Sequence, residues 1–271
     1  MLSQLVAITR RAHQEILDVY NSNFRVDTKS DNTPITDADR RAHDVIMEGL
    51  IKIDPSIPVL SEEGQIPPFE ERRNWDRLWI VDPLDGTREF TERNDEFTVN
   101  IALIERGTPK LGVVGIPTKE VVYTGDVEHA VAMRHKTDYE SQISTSHPAD
   151  CVRMITSRHY TTTKNQQIID YLESTGMKVQ VNTVGSSIKM CYIAEGQADI
   201  YVRFGLSNEW DIAAAHAVLR AAGGGVYSLD GTQKVYNQSE STLNSAFFAC
   251  SSLPEEWSNI IALSGVLPND S

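Results

Sequence analysis

Two aspartates lie three residues apart directly after a short apolar run. In the stretch LWIVDPLDGTREF, residues 78 to 90, four apolar residues lead into Asp82, Pro83, Leu84 and Asp85. Strand interiors disfavour Asp and Pro, so this composition marks the end of a buried strand. Pro83 stiffens the bend between the aspartates, which lets both carboxylates and an intervening carbonyl converge on one ligand.

Further acids lie at the ends of other apolar segments. Glu62 and Glu63 end PVLSEE, Asp211 lies at the start of an alanine-rich helix, and Asp37 and Asp39 fall in the first turn of another helix. Mg²⁺ prefers such oxygen ligands. Two such ions about 3.5–4 Å apart can clamp the attacking and leaving oxygens of a phosphoryl displacement. The pattern therefore favours a divalent metal site.

Most of these acids also have an ordinary structural interpretation when taken singly. Asp211 fits an acid that interacts with a helix dipole. Asp39 is the third residue after Thr36 and fits a capping box. The adjacent glutamates fit a solvated turn. Asp82 and Asp85 resist such an explanation, because carboxylates directly after a core strand need a partner, and the joint pattern favours the metal site.

Composition excludes several other classes of function. The chain of 271 residues has a formal net charge of −13, which argues against nucleic acid or an anionic membrane as the main partner. No apolar run reaches the roughly 18 residues of a membrane span. Cys151, Cys191 and Cys250 lack metal spacing and predict free thiols in a reducing cytoplasm, with peripheral association at the inner membrane left open.

Nucleotide and protease motifs are also missing. The sequence has no G-x-x-x-x-G-K-[ST] loop, no H-E-x-x-H and no G-x-S-x-G. The glycine run at 223–225 follows a helix, where it acts as a terminator. The first residues predict the start of a mature helix and not a signal peptide.

Periodicity divides the chain into two halves. Residues 2–20 and those after Thr36 repeat apolar side chains at helical spacing, and mostly strands follow. Residues 141–150 form the best linker candidate, after which strands and helices alternate. We predict an N-terminal α+β half at 1–145, which contains the DPLDGT motif, and a C-terminal α/β half at 146–271, which contains substrate-binding residues.

The motifs together resemble the inositol monophosphatase superfamily. D-P-x-D-G-T after an apolar strand, E-E upstream and W-D opening a helix that ends in A-G-G occur here in that family's order and spacing. The resemblance extends from PITDADRRAH to AAGGGV, nearly the whole chain. It implies a layered αβαβα sandwich with the site between the two halves, and a Mg²⁺-dependent, lithium-sensitive phosphatase.

The resemblance also implies roles for individual residues. Roughly two or three Mg²⁺ ions per active site would be held by Glu63, Asp82, the Leu84 carbonyl, Asp85 and Asp211. Glu63 would be the principal glutamate ligand and also a catalytic residue. Glu62 would share this role or take it over. Asp39 and Thr87 would position and deprotonate the attacking water. The amides of Gly86 and Thr87 would hold the scissile phosphate, with Asp211 also close to the substrate.

Within that family the chain most resembles the bacterial 3'(2'),5'-bisphosphate nucleotidases, which hydrolyse 3'-phosphoadenosine 5'-phosphate to AMP. Arg203 stands where the inositol phosphatases are expected to have a hydroxyl-binding glutamate, and Lys189 lies one helix earlier. Such a pair suits a second phosphate, which Arg can bind bidentately. Ser186 and Gly185 fit the same loop as donors, and His159 falls near the family's adenosine-binding region.

Two other interpretations stay open. One is a phosphatase of the same group that acts on inositol monophosphate or fructose 1,6-bisphosphate. The other is a non-catalytic module that binds metal or nucleotide, which the intact set of acids argues against. We expect a small phosphorylated nucleotide as partner, in the recycling that accompanies sulfate assimilation, with no nucleic acid and no membrane insertion, and a monomer or homodimer.

Overall fold

Helices and sheets alternate in five layers. A computed structural model describes residues 1–28, 34–147, 150–158 and 162–266. The first layer contains α1 (Leu2–Tyr20) and α2 (Asp37–Ile53), and the short antiparallel pair β1 (Val26–Thr28) and β2 (Pro34–Thr36) leads into α2. The apolar stripe predicted for residues 2–20 is buried, because it packs on the sheet that forms the second layer.

The second layer is a seven-stranded sheet whose strands follow chain order. They are β3 (Val59–Ser61), β4 (Arg77–Asp85), β5 (Thr98–Glu105), β6 (Thr108–Ile116), β7 (Val121–Asp126), β8 (Val131–His135) and β9 (Glu140–Ile143). The pair β3–β4 is parallel, and every later neighbouring pair is antiparallel. Two short helices, α3 (Phe69–Arg72) and α4 (Thr87–Thr91), flank β4, and a 3₁₀ turn, Pro117–Lys119, precedes β7.

The remaining layers come from the second part of the chain. A five-stranded sheet in the order β11-β10-β12-β14-β13 forms the fourth layer, from β10 (Cys151–Thr156), β11 (Lys178–Thr183), β12 (Ile200–Arg203), β13 (Gly225–Ser228) and β14 (Phe247–Cys250). Between the two sheets lie α6 (Ile188–Ala194) and α7 (Glu209–Ala221), and α5 (Thr163–Ser174) and α8 (Pro254–Leu263) cover the outer face. This is the layered αβαβα sandwich that the resemblance to the inositol monophosphatase superfamily implies.

Helix α7 packs closely on the large sheet, and this contact fixes the position of its first turn. A Cβ atom at Gly112 would lie 2.2 Å from the Ala214 carbonyl oxygen, and one at Gly125 would lie 2.6 Å from the Ala217 carbonyl oxygen. Only glycine leaves room for this approach, and the small alanines of α7 meet it. The first turn of α7, which contains Asp211, is thereby held against the sheet that contains β4.

The predicted boundary near residue 145 falls between the two sheets, after β9 and before β10. One apolar core nevertheless contains residues from both parts, such as Ile80 on β4 and Tyr201 on β12. We therefore propose that the two halves follow one another along the chain but share a core between them. None of the helices in the described residues is both long and apolar enough to span a membrane.

Candidate active site

A cavity of about 460 Å³ lies where β4, α6, β12 and α7 meet. Among the described residues five carboxylates line it, and four of them are named here the acidic cluster: Glu62, Asp82, Asp85 and Asp211. Basic side chains line it as well, and two of them are named here the cationic pair: Lys189 and Arg203. The fold thus brings together residues that are separated by up to about 150 positions in the chain.

The end of β4 has the irregularity that its composition predicts. Asp82 pairs with Asn100 and Asp85 pairs with Thr98, so one extra residue lies on β4 between the two pairs. Such a bulge re-aims side chains at a strand end. The Leu84 amide donates to Asp82 Oδ1 at 3.0 Å, which fixes this carboxylate beside the bulge.

Gly86 turns the chain from β4 into α4. Its φ of +89° is in the left-handed region, which favours glycine. The next residue, Thr87, begins α4, and its hydroxyl donates to Asp39 Oδ1 at 3.3 Å and lies 3.4 Å from the Leu84 carbonyl oxygen. Thr87 therefore joins the tip of β4 to the start of α2.

Asp39 performs the capping role and faces Thr87 at the same time. Its Oδ2 accepts from the Thr36 amide and hydroxyl, both at 2.7 Å, which closes a capping box. Its Oδ1 accepts from Thr87. Burial raises the pKa of Asp39, against the hydrogen bonds from Thr36, and the charge of Glu63 raises it further. The structural and the catalytic interpretations of Asp39 thus use different oxygens.

The two adjacent glutamates point to different partners. The Glu62 amide donates to the Val81 carbonyl at 3.1 Å, which extends the β3–β4 pairing and brings Glu62 beside Asp82. Glu62 lines the cavity, and its charge raises the pKa of Asp82. The charge of Glu63 instead favours a higher pKa at Asp39 and at His43. In the turn that follows β3, Glu62 therefore lies at the cavity beside Asp82, and we propose Glu62 as the principal ligand in place of the predicted Glu63.

The acidic cluster is electrostatically strained in the way that a cation would relieve. Burial first, and then the charges of Glu62, Asp85 and Asp211, raises the pKa of Asp82 well above its usual range. Burial also raises the pKa of Asp85, and burial with the Asp85 charge raises that of Asp211 to about 8. A divalent cation would reverse these shifts, since it favours the ionised carboxylates.

The donor set fits magnesium. In the part of the chain that the structure describes, no three His, Cys, Asp or Glu side chains form a ready-made metal-holding group. Magnesium ordinarily completes its octahedral shell with waters, a carbonyl and substrate phosphate, so a full protein cage is not required. The carboxylates of the acidic cluster and the nearby Leu84 carbonyl are hard oxygen donors of this kind.

Asp211 is fixed by the start of its own helix. The Asn208 amide donates to Asp211 Oδ2 at 3.0 Å, which repeats the arrangement seen at Asp39. The interpretation of Asp211 as a helix-capping acid and its position in the acidic cluster are again compatible.

Ser187 ties the cluster together and was missed by sequence reasoning, which singled out only Gly185 and Ser186. The Ser187 amide donates to Asp85 Oδ2 at 2.7 Å, and its hydroxyl donates to the Asp211 carbonyl at 2.6 Å. Asn100, opposite Asp82 on β5, donates to the same hydroxyl at 3.1 Å. The second serine of GSS, just before a helix, was the available signal.

The cationic pair lies on the part of the cavity formed by α6 and β12. Lys189 is only 5 % exposed, and its Nζ donates to the Ser186 carbonyl at 2.6 Å and to the Val184 carbonyl at 3.3 Å. Burial lowers the pKa of Lys189 to about 8, and Asp85 opposes that shift. Ser186, whose φ is +47°, lines the cavity beside it.

Arg203 is anchored on the loop that follows β12. Its guanidinium donates to the Tyr201 hydroxyl at 3.3 Å, to the Gly205 carbonyl at 3.3 Å and to the Leu206 carbonyl. The side chain therefore lies along the cavity with its planar group held in one orientation.

Two residues noted in the sequence fall outside this constellation. Glu209 does not line the cavity, and its two oxygens accept from the Asn237 amide at 2.8 and 3.0 Å. Burial raises the pKa of Glu209 to about 7. His159 lies outside the described residues. The cavity also contains Arg88 and Glu89 of α4, which the sequence did not single out.

Known proteins share both the sequence and the fold of this chain. The model of the inositol monophosphatase family matches residues 1–261. The 3'(2'),5'-bisphosphate nucleotidase CysQ of Escherichia coli strain K12 is 43 % identical over 249 residues, which is 91 % of this chain and 98 % of that protein. The protein of the same name from Haemophilus influenzae is 31 % identical over 96 % of each chain.

Solved structures agree with the five-layered arrangement. The crystal structure of CysQ from Bacteroides thetaiotaomicron, described as a bacterial member of the inositol monophosphatase family, superimposes with a TM-score of 0.80 at 37 % identity. It covers 92 % of this chain and 97 % of that one. The Thermotoga maritima IMPase shares the fold, with a TM-score of 0.76 at 22 % identity and 97 % coverage of each chain.

Proposed function

The chain belongs to the inositol monophosphatase family, and from that premise we propose that it is a Mg²⁺-dependent 3'(2'),5'-bisphosphate nucleotidase. Its substrate is 3'-phosphoadenosine 5'-phosphate, which it hydrolyses to AMP and phosphate. The relatives whose names state this activity match almost the whole chain. The proposed physiological role is to remove this nucleotide where sulfate assimilation produces it.

One observation supports the proposal most directly: the acidic cluster and the cationic pair share a single cavity. A metal-binding set of carboxylates serves phosphoryl transfer, and a separate pair of cations suits a second phosphate on the same molecule. A substrate with two phosphates on one ribose satisfies both requirements. A monophosphate would supply no second phosphate for the cationic pair to bind.

We assign the metal ligands to Glu62, Asp82, Asp85 and Asp211, with the Leu84 carbonyl as a backbone ligand. This replaces Glu63 by Glu62 on the strength of its place beside Asp82. These residues would hold Mg²⁺, whose charge would lower the pKa of a water molecule and offset the negative charge of the transferring phosphate and its leaving oxygen. Ser187 holds Asp85 in place through its amide.

Thr87 and Asp39 form the proton path. The Thr87 hydroxyl donates to Asp39 Oδ1, so its oxygen lone pairs are directed away from Asp39, where they can accept a proton from water. Thr87 would pass its own proton to Asp39. Burial raises the pKa of Asp39, which makes this carboxylate a better proton acceptor. Glu63, beside Asp39, adjusts that pKa through its charge.

The remaining residues orient the substrate. The amides of Gly86 and Thr87 face the scissile phosphate in this proposal, and Asp211 limits its position on the other side. Lys189, Arg203 and Ser186 bind the 5'-phosphate. These contacts supply orientation, which keeps the 3'-phosphate in line with the attacking water.

An inositol or fructose phosphatase is the second candidate, and Arg203 argues against it. A guanidinium held by Gly205 and Tyr201 at the cavity suits an anion and not a sugar hydroxyl. A non-catalytic module is disfavoured because Thr87 and Asp39 are in contact, which simple metal binding does not require.

A phosphate-release panel with Mg²⁺ tests the proposal. We expect 3'-phosphoadenosine 5'-phosphate to be hydrolysed with a higher kcat/KM than inositol 1-phosphate or fructose 1,6-bisphosphate, and Li⁺ to inhibit the reaction. Faster turnover of inositol 1-phosphate would show that the argument from Arg203 is wrong. No Mg²⁺-dependent release from any of the three would favour a binding module.

A further inference from the structure

Two leucines project from the mouth of a cavity that is otherwise rich in charge. Leu206 is 72 % exposed and Leu243 is 51 % exposed, and both line the same cavity as the acidic cluster and the cationic pair. Single exposed leucines are common on protein surfaces. Two on neighbouring loops at one site call for a reason, and we name them the leucine lip.

Buried polar contacts hold the two loops together behind the leucine lip. The Asn244 amide donates to the Ser207 carbonyl at 2.8 Å, and the Asn244 side chain donates to the Asn208 carbonyl at 2.6 Å. The Thr242 hydroxyl donates to Asn208 Oδ1 at 2.9 Å. A backbone bridge also joins Asn208 to Leu243. The two leucines therefore project from one fixed unit.

A fully buried arginine anchors this unit from the far side. Arg72 is 0 % exposed, and its guanidinium donates to Asn237 Oδ1 at 2.6 Å and to the Glu240 carbonyl at 2.5 Å. The Asn237 side chain donates back to the Arg72 carbonyl at 2.7 Å. A loop held by a buried charged group cannot fold its leucine inward without breaking these bonds, so the exposure of Leu243 is built into the fold.

The leucine lip is also linked to the cationic pair. The Leu206 carbonyl accepts a hydrogen bond from Arg203, and Leu206 lies on the segment that connects Arg203 to Asp211. In a nucleoside 3',5'-bisphosphate the phosphates extend from the adjacent ring carbons C3' and C4', on opposite faces of the ribose, and the base is attached at C1', which borders neither carbon. With one phosphate at the acidic cluster and the other at the cationic pair, the base would extend away from both sets, and the leucine lip is an exposed apolar surface within the same cavity.

We propose that Leu206 and Leu243 form the contact surface for the nucleobase, and so make this site selective for nucleotides over other bisphosphates. The inference rests on the proposed function and adds a specificity determinant to it. A planar base covers apolar area that the fold leaves in water, and this gain is available only to substrates with a base.

The test compares leucine variants on two substrates. Leu206→Ala and Leu243→Ala are measured with 3'-phosphoadenosine 5'-phosphate and with abasic 1-deoxyribose 3,5-bisphosphate. We expect each variant to lose about tenfold in kcat/KM on the nucleotide, chiefly through KM. The abasic substrate should be turned over as well by the variants as by the parent enzyme. Leu263→Ala, a similarly exposed leucine on α8 (66 % exposed), is the matched control.

Each alternative outcome has a clear meaning. Equal losses on both substrates, or no loss on either, would overturn the leucine lip as a base contact. A lowered oligomer mass for the variants in light scattering, with unchanged kinetics, would show that a second copy of the chain covers these leucines instead. If the parent enzyme released no phosphate from the nucleotide, the proposed function would fail, which is a separate result from failure of the lip.

Discussion

The acidic cluster and the cationic pair are built in opposite ways. Backbone amides fix the carboxylates: Leu84 donates to Asp82, Ser187 to Asp85 and Asn208 to Asp211. The cations donate to backbone carbonyls of their own loops, Lys189 to Ser186 and Arg203 to Gly205. The acidic cluster lies mainly at strand and helix ends that face the shared core, whereas Lys189 lies on α6 and Arg203 ends β12, the central strand of the smaller sheet.

This difference separates chemistry from recognition. Carboxylates that repel one another in a buried place are oriented by rigid elements toward a shared cation. Cations that donate to neutral backbone carbonyls can also donate to a phosphate, and a hydrogen bond between two charged groups is the stronger one. We infer that changes in the acidic cluster affect every substrate alike, whereas changes in the cationic pair affect only substrates with a second phosphate.

Replacement of Asp85 should produce the largest effect. Asp85→Asn keeps an oxygen that accepts from Ser187 but removes a charge needed for Mg²⁺, so kcat should fall on the order of 10³-fold on both 3'-phosphoadenosine 5'-phosphate and adenosine 3'-phosphate. Steady-state kinetics with Mg²⁺ measure this, and thermal unfolding serves as the control for the fold. Retention of full Mg²⁺-dependent activity would refute the acidic cluster as the metal site.

Replacement of Arg203 should have a smaller and selective effect. Arg203→Gln removes the charge that binds the 5'-phosphate, so kcat/KM for the bisphosphate should fall roughly 10- to 100-fold. The value for adenosine 3'-phosphate, which lacks that group, should change little. A parallel loss on both substrates would mean that Arg203 serves the chemistry and that the division between the two sets is wrong.

The pH dependence of the cationic pair should follow Lys189. Its pKa is lowered to about 8, so the ammonium charge is present below that pH and is lost above it. The ratio of kcat/KM for the bisphosphate to that for adenosine 3'-phosphate should therefore decline above pH 8, by up to about tenfold per pH unit. In Lys189→Arg, whose charge persists, the ratio should stay level. The same decline in that variant would assign the titration to another group.

Glu209 lies outside both sets and should affect stability alone, with the smallest change. Its pKa is raised by burial from an ordinary value of 4.5 to about 7, so the unfolded state ionises first as pH rises. Wild-type stability from this group is lost between those two pH values. Glu209→Gln should raise the free energy of unfolding by about 1–3 kcal/mol at pH 8 relative to wild type, and by little at pH 4.5. Denaturant unfolding at both pH values checks this.

The sequence predicted the residue types of the site better than their partners. Asp39 and Asp211 have both a capping and a site interpretation, and the structure shows one oxygen in a capping bond while the carboxylate also faces the cavity or Thr87. Sequence patterns present these interpretations as competitors, although a carboxylate has two oxygens. The proposed choice of Glu62 over Glu63 depends on how the turn after β3 lies against β4, where the Glu62 amide donates to the Val81 carbonyl.

Long-range contacts account for what the sequence could not predict. Ser187 joins Asp85 to Asp211 across about a hundred residues, and the leucine lip exists only because Asn244 and Thr242 bind the loop before α7. Periodicity, by contrast, predicts an α+β half followed by an α/β half, since helices and strands repeat apolar residues at different periods. The layered sandwich itself was implied by the resemblance of the motifs to the inositol monophosphatase superfamily.

The position of the phosphate that remains on the product tests the account most directly. The enzyme is incubated with 3'-phosphoadenosine 5'-phosphate and Mg²⁺, and the nucleoside monophosphate is identified by ³¹P NMR and chromatography. If the 3'-phosphate is removed at the acidic cluster while the cationic pair binds the 5'-phosphate, the product is adenosine 5'-phosphate. Accumulation of adenosine 3'-phosphate would contradict this division, because the phosphate assigned to Lys189 and Arg203 would then be the one removed.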